Sequence, residues 1–181
     1  MGYAFAVWLT GLPASGESAI AQALARRLVG AGLSAEILES DAVRRRLTPS
    51  ATYEPEERAL FYRALAWCGS LLVAHGVPVI FDATASRREY RDLARILIPR
   101  FVEVAVVCAL QVCEQRDRKG TYRAGREGNS RTVPGLQEPY EPPLLPDVIV
   151  DTTRTSPEGG ADLVFAALER QGYLAMARGV P

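Results

Sequence analysis

The sequence predicts a three-layer α/β/α fold with a mainly parallel sheet, and three observations carry that expectation. Apolar, β-branched runs alternate along the chain with amphipathic stretches, the pattern of repeated βα units. The first run leads into Gly11-Leu12-Pro13-Ala14-Ser15-Gly16-Glu17-Ser18, which fits the phosphate-loop pattern G-x-x-x-x-G-K-[ST] everywhere except at the lysine. The run from Phe101 to Cys108 is apolar almost throughout, as a strand buried on both faces requires. Together they point to a P-loop NTPase fold. The chain's 181 residues suit a single domain, 1–181.

The elements follow in order. Ala4 to Thr10 reads as the first strand, then the loop, then a helix from Glu17 to Val29 that Gly30 and Gly32 end. Ser34 to Leu38 is a second strand and Asp41 to Leu47 a short helix carrying Arg44, Arg45 and Arg46. A long helix is expected from Pro55 to His75, stopped by Gly76. The strand Val77 to Phe81, the helix Arg87 to Ile98 and the strand Phe101 to Cys108 come next. After a helical stretch at Leu110 to Arg116, residues 117–146 are rich in Arg, Gly and Pro, too polar for core and too long for an ordinary connection, and read as a mobile lid. Asp147 to Val150 is the last strand and Pro157 to Arg170 the closing helix.

Composition excludes several classes. The 21 basic residues balance 21 acidic ones, so no global charge advertises nucleic acid or an acidic membrane surface. No apolar run approaches membrane-spanning length, and residues 1–10 lack a basic leader region, so a cytoplasmic protein is expected. Cys68, Cys108 and Cys113 show no C-x-x-C spacing and read as buried free thiols. His75, the only histidine, cannot build a histidine-based metal site and reads as a helix C-terminal contact. Trp8 reads as core.

The loop carries the first chemistry. Gly11 and Gly16 let the backbone N–H groups of Ala14 to Ala19 curl around an anion at a helix N-terminus, and Ser18 is the usual magnesium ligand. Glu17 puts a carboxyl where a cation is expected. At about 4 Å and an effective dielectric of about 20, each unit charge pair is worth roughly 4 kcal/mol, so a reversed sign is a large penalty.

Two further segments are more specific. Cys113-Glu114-Gln115-Arg116-Asp117-Arg118-Lys119-Gly120-Thr121-Tyr122 is similar to C-E-x-R-D-x-K-G-x-Y, and Glu138-Pro139-Tyr140-Glu141-Pro142-Pro143 to D-P-Y-E-P-P. Weaker matches are Glu39-Ser40-Asp41-Ala42-Val43-Arg44 to D-G-D-N-[IV]-R and Tyr53-Glu54-Pro55-Glu56-Glu57-Arg58 to F-S-P-E-D-R. All four patterns belong to adenylylsulfate (APS) kinase, and over nearly its whole length the chain resembles that family, which phosphorylates the 3′-hydroxyl of APS with ATP to give PAPS in sulfate assimilation.

The resemblance implies ATP as co-substrate with Mg2+, donor contacts at Gly11, Ala14, Ser15, Gly16, Glu17, Ser18, Ala19 and Arg116, and a metal contact at Ser18. It implies Asp41 as the acceptor-side base, where the alternative is a helix cap before Ala42. Arg44 and Arg58 would hold the phosphosulfate as guanidinium forks, while Arg45 and Arg46 read as a solvated face. Tyr53 would stack on the adenine of APS or is an ordinary boundary tyrosine. Arg131 and Val133 stand in the family's K-G-F-T-G, so the second aromatic of the adenine clamp is replaced by Val133. Asp82 is a looser candidate for holding magnesium through water at the sheet edge.

Departures cluster on the nucleotide sites: Glu17 for lysine, Phe61 for an asparagine, and Thr84-Ala85-Ser86-Arg87 around the family's I-S-P-Y. They leave two alternatives to an active APS kinase. One is a weak or inactive module that binds APS, PAPS or ADP and regulates an ATP sulfurylase. The other, motivated by Asp82-Ala83-Thr84, is a kinase of another small hydroxylated substrate. A homodimer is implied by resemblance. The helically spaced Leu60, Ala64, Trp67, Leu71 and Ala74 are expected to pack on the sheet, with part available to a second subunit.

Overall fold

The computed structural model describes residues 4–174; the outermost ends of the expected 1–181 domain lie outside the described residues. Five strands, β1 (Ala6–Gly11), β2 (Glu36–Glu39), β3 (Val79–Asp82), β4 (Phe101–Val107) and β5 (Val148–Asp151), form one sheet in the order β2-β3-β1-β4-β5. Every ladder is parallel. The helices are α1 (Glu17–Gly30), α2 (Ser40–Leu47), α3 (Pro55–Ala74), α4 (Arg88–Leu97), α5 (Leu110–Gln115), α6 (Thr121–Arg126) and α7 (Pro157–Arg170).

The alternation of side chains along β1 builds the two cores. Val7 and Leu9 face one side, where Ile20, Leu24 and Leu28 of α1 and Val164 and Leu168 of α7 cover them. Ala6 and Trp8 face the other, against Phe61 and Leu65 of α3 and Tyr90 and Ala94 of α4. Each fully buried Val, Leu, Ile or Phe among them contributes roughly 1.5–3 kcal/mol of apolar transfer. In register, Leu9 of β1 lies opposite Asp82 of β3 and Val104 of β4. The chain therefore leaves β1 at the edge where β3 and β4 diverge to either side, the crevice in which ligands of open parallel sheets bind.

Most elements fall within two residues of their expected bounds, and α7 has the bounds read from the sequence, with Pro157 in its first turn and the Ser156 side chain accepting from Gly159 N–H at 3.1 Å. Three expectations are corrected. Leu60, Trp67 and Leu71 are exposed; the sheet-facing residues of α3 are Phe61, Tyr62, Leu65, Ala66, Gly69 and Val73. This helix is apolar around much of its circumference, so periodicity alone did not select the buried stripe. Cys68, on the same outward side, is exposed, whereas Cys108 and Cys113 are buried. Finally, α2 begins at Ser40 with Glu39 at its cap position, so Asp41 lies inside the first turn and is not the cap.

Arg91 of α4 is 1% exposed and sits at the centre of a buried polar group. Its Nε donates to Glu103 of β4 at 2.8 Å, one Nη donates to the Ala85 carbonyl, and the other to the Glu141 carbonyl at 2.7 Å. Arg95 adds a second contact to Glu103 at 3.2 Å. One guanidinium thus ties the end of the β3 loop, the sheet and the Pro-rich segment together.

Candidate active site

Glycine is required at both ends of the loop for different reasons. A Cβ on Gly11 would lie 2.5 Å from both Ser15 Oγ and the Val106 carbonyl, and Gly16 adopts φ 111°, which side chains disfavour. Glu17 then begins α1. Its carboxyl is 7% exposed and accepts a hydrogen bond from Ser15 Oγ at 3.1 Å. Burial, reinforced by the nearby Asp82 charge, holds it well above the ordinary carboxyl range; the Ser15 hydrogen bond and the more distant Lys119 and Arg91 only partly offset this. The loop therefore carries, in the lysine's place, a carboxyl biased toward its neutral form.

A cavity of about 1000 Å³ opens over this edge of the sheet. Its walls include Ala14, Gly16, Glu17, Ser18 and Ala19 of the loop, Asp82 of β3, Asp41 of α2, and the lid residues Arg116 to Gly120. Gly11 and Ser15 shape the loop from behind and are outside that lining. Ser18 is hydrogen-bonded to Asp82, whose carboxyl is raised by burial, with Glu39 and Asp41 adding to the effect. A hydroxyl beside carboxylates is a hard oxygen donor set that fits Mg2+. Among the described residues no cluster of three or more His, Cys, Asp or Glu could hold a metal by itself.

Asp41 is exposed, and Lys119 Nζ lies 2.6 Å from its Oδ2 and 3.2 Å from Glu39 Oε1. Desolvation opposes the ammonium charge, yet these two carboxylates raise Lys119 above its ordinary value.

Arg44 and Arg58 also line the cavity, both buried and both already paired. Arg44 Nη1 bonds Glu57 and its guanidinium stacks 3.8 Å over the Phe61 ring. Arg58 Nη1 lies 2.6 Å from Glu138 and its Nη2 donates to the Thr132 carbonyl at 3.1 Å. Tyr53, exposed with φ 59°, covers both, its ring centroid 4.8 Å from Arg44 and 5.8 Å from Arg58. Burial works against charge on Glu57, but the Tyr53 N–H and Arg44 hold it below the usual carboxylate range. Two cations and an aromatic lid over a pocket suit an anionic, planar ligand. Phe61, expected only as a lost polar contact, turns out to be the platform under Arg44. Arg45 and Arg46 are solvated.

The lid has internal order. Asp117 accepts from the N–H groups of Thr121, Tyr122 and Arg123, building α6, and Tyr122 donates to the Pro13 carbonyl at 2.9 Å. Val133 is 3% exposed and packs with Cys108, Cys113 and Tyr122 while also edging the cavity. This corrects the expectation that 117–146 is too polar for core. Glu138, Tyr140 and Glu141 tie the segment to the body through Arg58, Thr10 and the N–H of Arg88. Arg116 lines the cavity and clasps Thr152 through its side chain at 3.2 Å and its carbonyl at 3.1 Å. Arg131 is exposed and outside the lining.

Sequence reading missed Thr152, which donates to the Ser15 carbonyl at 2.6 Å and so braces the loop. Its place just beyond the C-terminal end of a parallel strand was the available signal. It also missed Glu57 and Glu138 as partners of the two arginines, for which pairing across the fold gives no local mark.

A phosphate loop at the divergence of a five-stranded parallel sheet, sharing one cavity with a buried arginine pair and with lid residues, defines a P-loop kinase. Residues 3–151 match the adenylylsulphate kinase family, and the chain belongs to it. It is 38% identical over 169 residues to the adenylyl-sulfate kinase of Rippkaea orientalis, covering 93% of each chain. It is 36% identical to the probable adenylyl-sulfate kinase of Bacillus subtilis, covering 93% of this chain and 85% of the relative. The solved APS kinase of Mycobacterium tuberculosis in complex with AMPPNP and APS superposes with a TM-score of 0.87 at 34% identity, over 93% of this chain and 99% of that one.

Proposed function

We propose that the chain transfers the γ-phosphoryl group of ATP to the 3′-hydroxyl of APS, giving PAPS and ADP. The observation that carries this is one cavity joining the loop, the Asp41 carboxylate and the Arg44–Arg58–Tyr53 group. Loop N–H groups and the α1 N-terminus would hold the β and γ phosphates. Ser18, with Asp82 behind it, would hold Mg2+, which neutralises phosphate charge when bound. Arg44 and Arg58 would grip the phosphosulfate, and Tyr53 would cover the adenine. The bond from the 3′ oxygen to Pγ forms as the bond from Pγ to the β–γ bridging oxygen breaks; ADP leaves, and the hydroxyl proton passes to Asp41 and then to water.

For Asp41 to serve, its carboxylate must be free of Lys119, so the ion pair at 2.6 Å is the resting arrangement. The lid motifs and the arginine pair support APS over other acceptors. The experiment is ADP release from Mg-ATP with APS, gluconate or shikimate as acceptor: stimulation by APS alone is expected, and stimulation by another acceptor with none by APS overturns the assignment.

Glu17 favours a second reading, a module that binds nucleotide without turnover and regulates an ATP sulfurylase. Calorimetric binding of APS or ADP with no ADP release would select it. A homodimer is part of the proposal, and the exposed Leu60, Trp67 and Leu71 of α3 are apolar surface suited to it. Among the described residues no helix is long and apolar enough to cross a membrane.

A further inference from the structure

Of the 21 lysines and arginines in the chain, one is a lysine, Lys119. It lies in the lid and lines the same cavity as Glu17, Ser18 and Asp82. Its ammonium rests on Asp41 and Glu39, and its side chain is 64% exposed. Such an exposed pair is weak and exchangeable, and a triphosphate is a stronger competitor for the charge.

The other cations of the cavity are engaged elsewhere. Arg44 and Arg58 are buried against Glu57 and Glu138, and Arg116 is held on Thr152. Arg131 is outside the lining. Arg118 shares the lining and is, among the described residues, the one rival. Lysine is a compact point charge on a four-carbon stem, suited to following a phosphate that moves. Gly120, immediately after it, holds φ 73°, so the segment turns sharply there. The field of Lys119 already reaches both Glu17 and Asp82, lowering each against the larger effect of burial.

We propose that Lys119 supplies the γ-phosphate with the positive charge that position 17 lacks, and that by moving there it releases Asp41 for the acceptor hydroxyl. The inference rests on the cavity being the site of transfer from ATP. It makes donor binding the event that unmasks the base.

The test uses the wild-type chain and its single lysine. The rate at which Lys119 is acetylated by acetic anhydride, read by mass spectrometry, is compared with Mg-AMPPNP and with Mg-ADP at saturation. AMPPNP is expected to slow acetylation about tenfold more than ADP, because only the γ-phosphate engages the amine. Equal protection overturns the proposal.

Variants supply the second arm. Lys119→Met is expected to lower kcat about 100-fold, the usual cost of removing one transition-state charge donor, and Glu17→Lys in the same chain to restore at least a tenth of it. Arg123→Met, which removes a lid charge outside the cavity, serves as the control. A Lys119→Met chain within threefold of wild type, a larger loss in Arg118→Met, or no rescue by Glu17→Lys overturns the proposal. If wild type makes no PAPS while AMPPNP still protects Lys119, the acceptor assignment fails and the role of Lys119 stands. If PAPS forms without such protection, the inference alone fails.

Discussion

Ser15 Oγ donates to Glu17 Oε1 across 3.1 Å, so the carboxyl that stands in place of a cation is tied to the loop's own side chain. Burial and the Asp82 charge raise its pKa well above the ordinary carboxyl range, and the Ser15 hydrogen bond only partly offsets them. The carboxyl in the lysine's place is thus biased toward its neutral form.

Glu17 should make stability fall with rising pH. Its folded-state pKa is above its unfolded value, so between the two the folded chain binds more protons and loses stability as pH rises. Glu17→Gln removes that dependence. Wild type and variant should melt alike below about pH 4, and the variant should gain as pH increases, by about 3 °C for each kcal/mol. Thermal melts across pH 4 to 8 check this; a gap that shrinks with rising pH contradicts it.

The guanidinium carbon of Arg44 lies 3.8 Å over the Phe61 ring, and a lysine ammonium there would be a point charge without the planar fork. Arg44→Lys should raise KM for APS about tenfold while KM for ATP changes less than twofold, since one bidentate contact is worth on the order of 1.4 kcal/mol. Steady-state kinetics with each substrate varied separate the two.

Phe61 occupies the family's asparagine position but is 1% exposed beneath Arg44. Phe61→Asn should cost about 3 kcal/mol of stability, because it trades a packed ring for a buried amide with no designed partner. Urea denaturation measures the loss, and a variant as stable as wild type would show that the site tolerates either residue.

Arg91 is the keystone between α4, β4 and the Pro-rich segment. Arg91→Met should cost about 3 kcal/mol, because Glu103 stays buried with only Arg95 to pair it. The same variant should raise exchange at the Glu141 amide, which donates to the Ser86 carbonyl at 2.8 Å. Denaturation and hydrogen exchange read the two effects.

Much of the fold was legible because strand runs, loop glycines and capping residues are local signals. The Ser156-Pro157 start of α7 and the strand–loop–helix around Gly11 and Gly16 are examples. The outward face of α3 was not legible, since Leu60, Trp67 and Leu71 alternate with equally apolar residues that pack on the sheet. At the site, sequence gave the identities of Asp41, Arg44 and Arg58 through family resemblance. It could not give the upward pKa shift of Glu17, set by burial, or the pairing of Arg58 with Glu138, set by how a distant segment crosses the sheet. The Glu138-Pro139-Tyr140-Glu141 motif was read as a family mark; its physical work is to fasten the lid's far end to Arg58, Thr10 and the start of α4.

The central claim, that this loop without its lysine still directs a phosphoryl group onto APS, is tested most directly by 31P NMR of the purified chain with Mg-ATP and APS at neutral pH. The account predicts a 3′-phosphomonoester resonance growing in step with ADP. ADP without that resonance, or neither signal from a chain that binds AMPPNP, would contradict it.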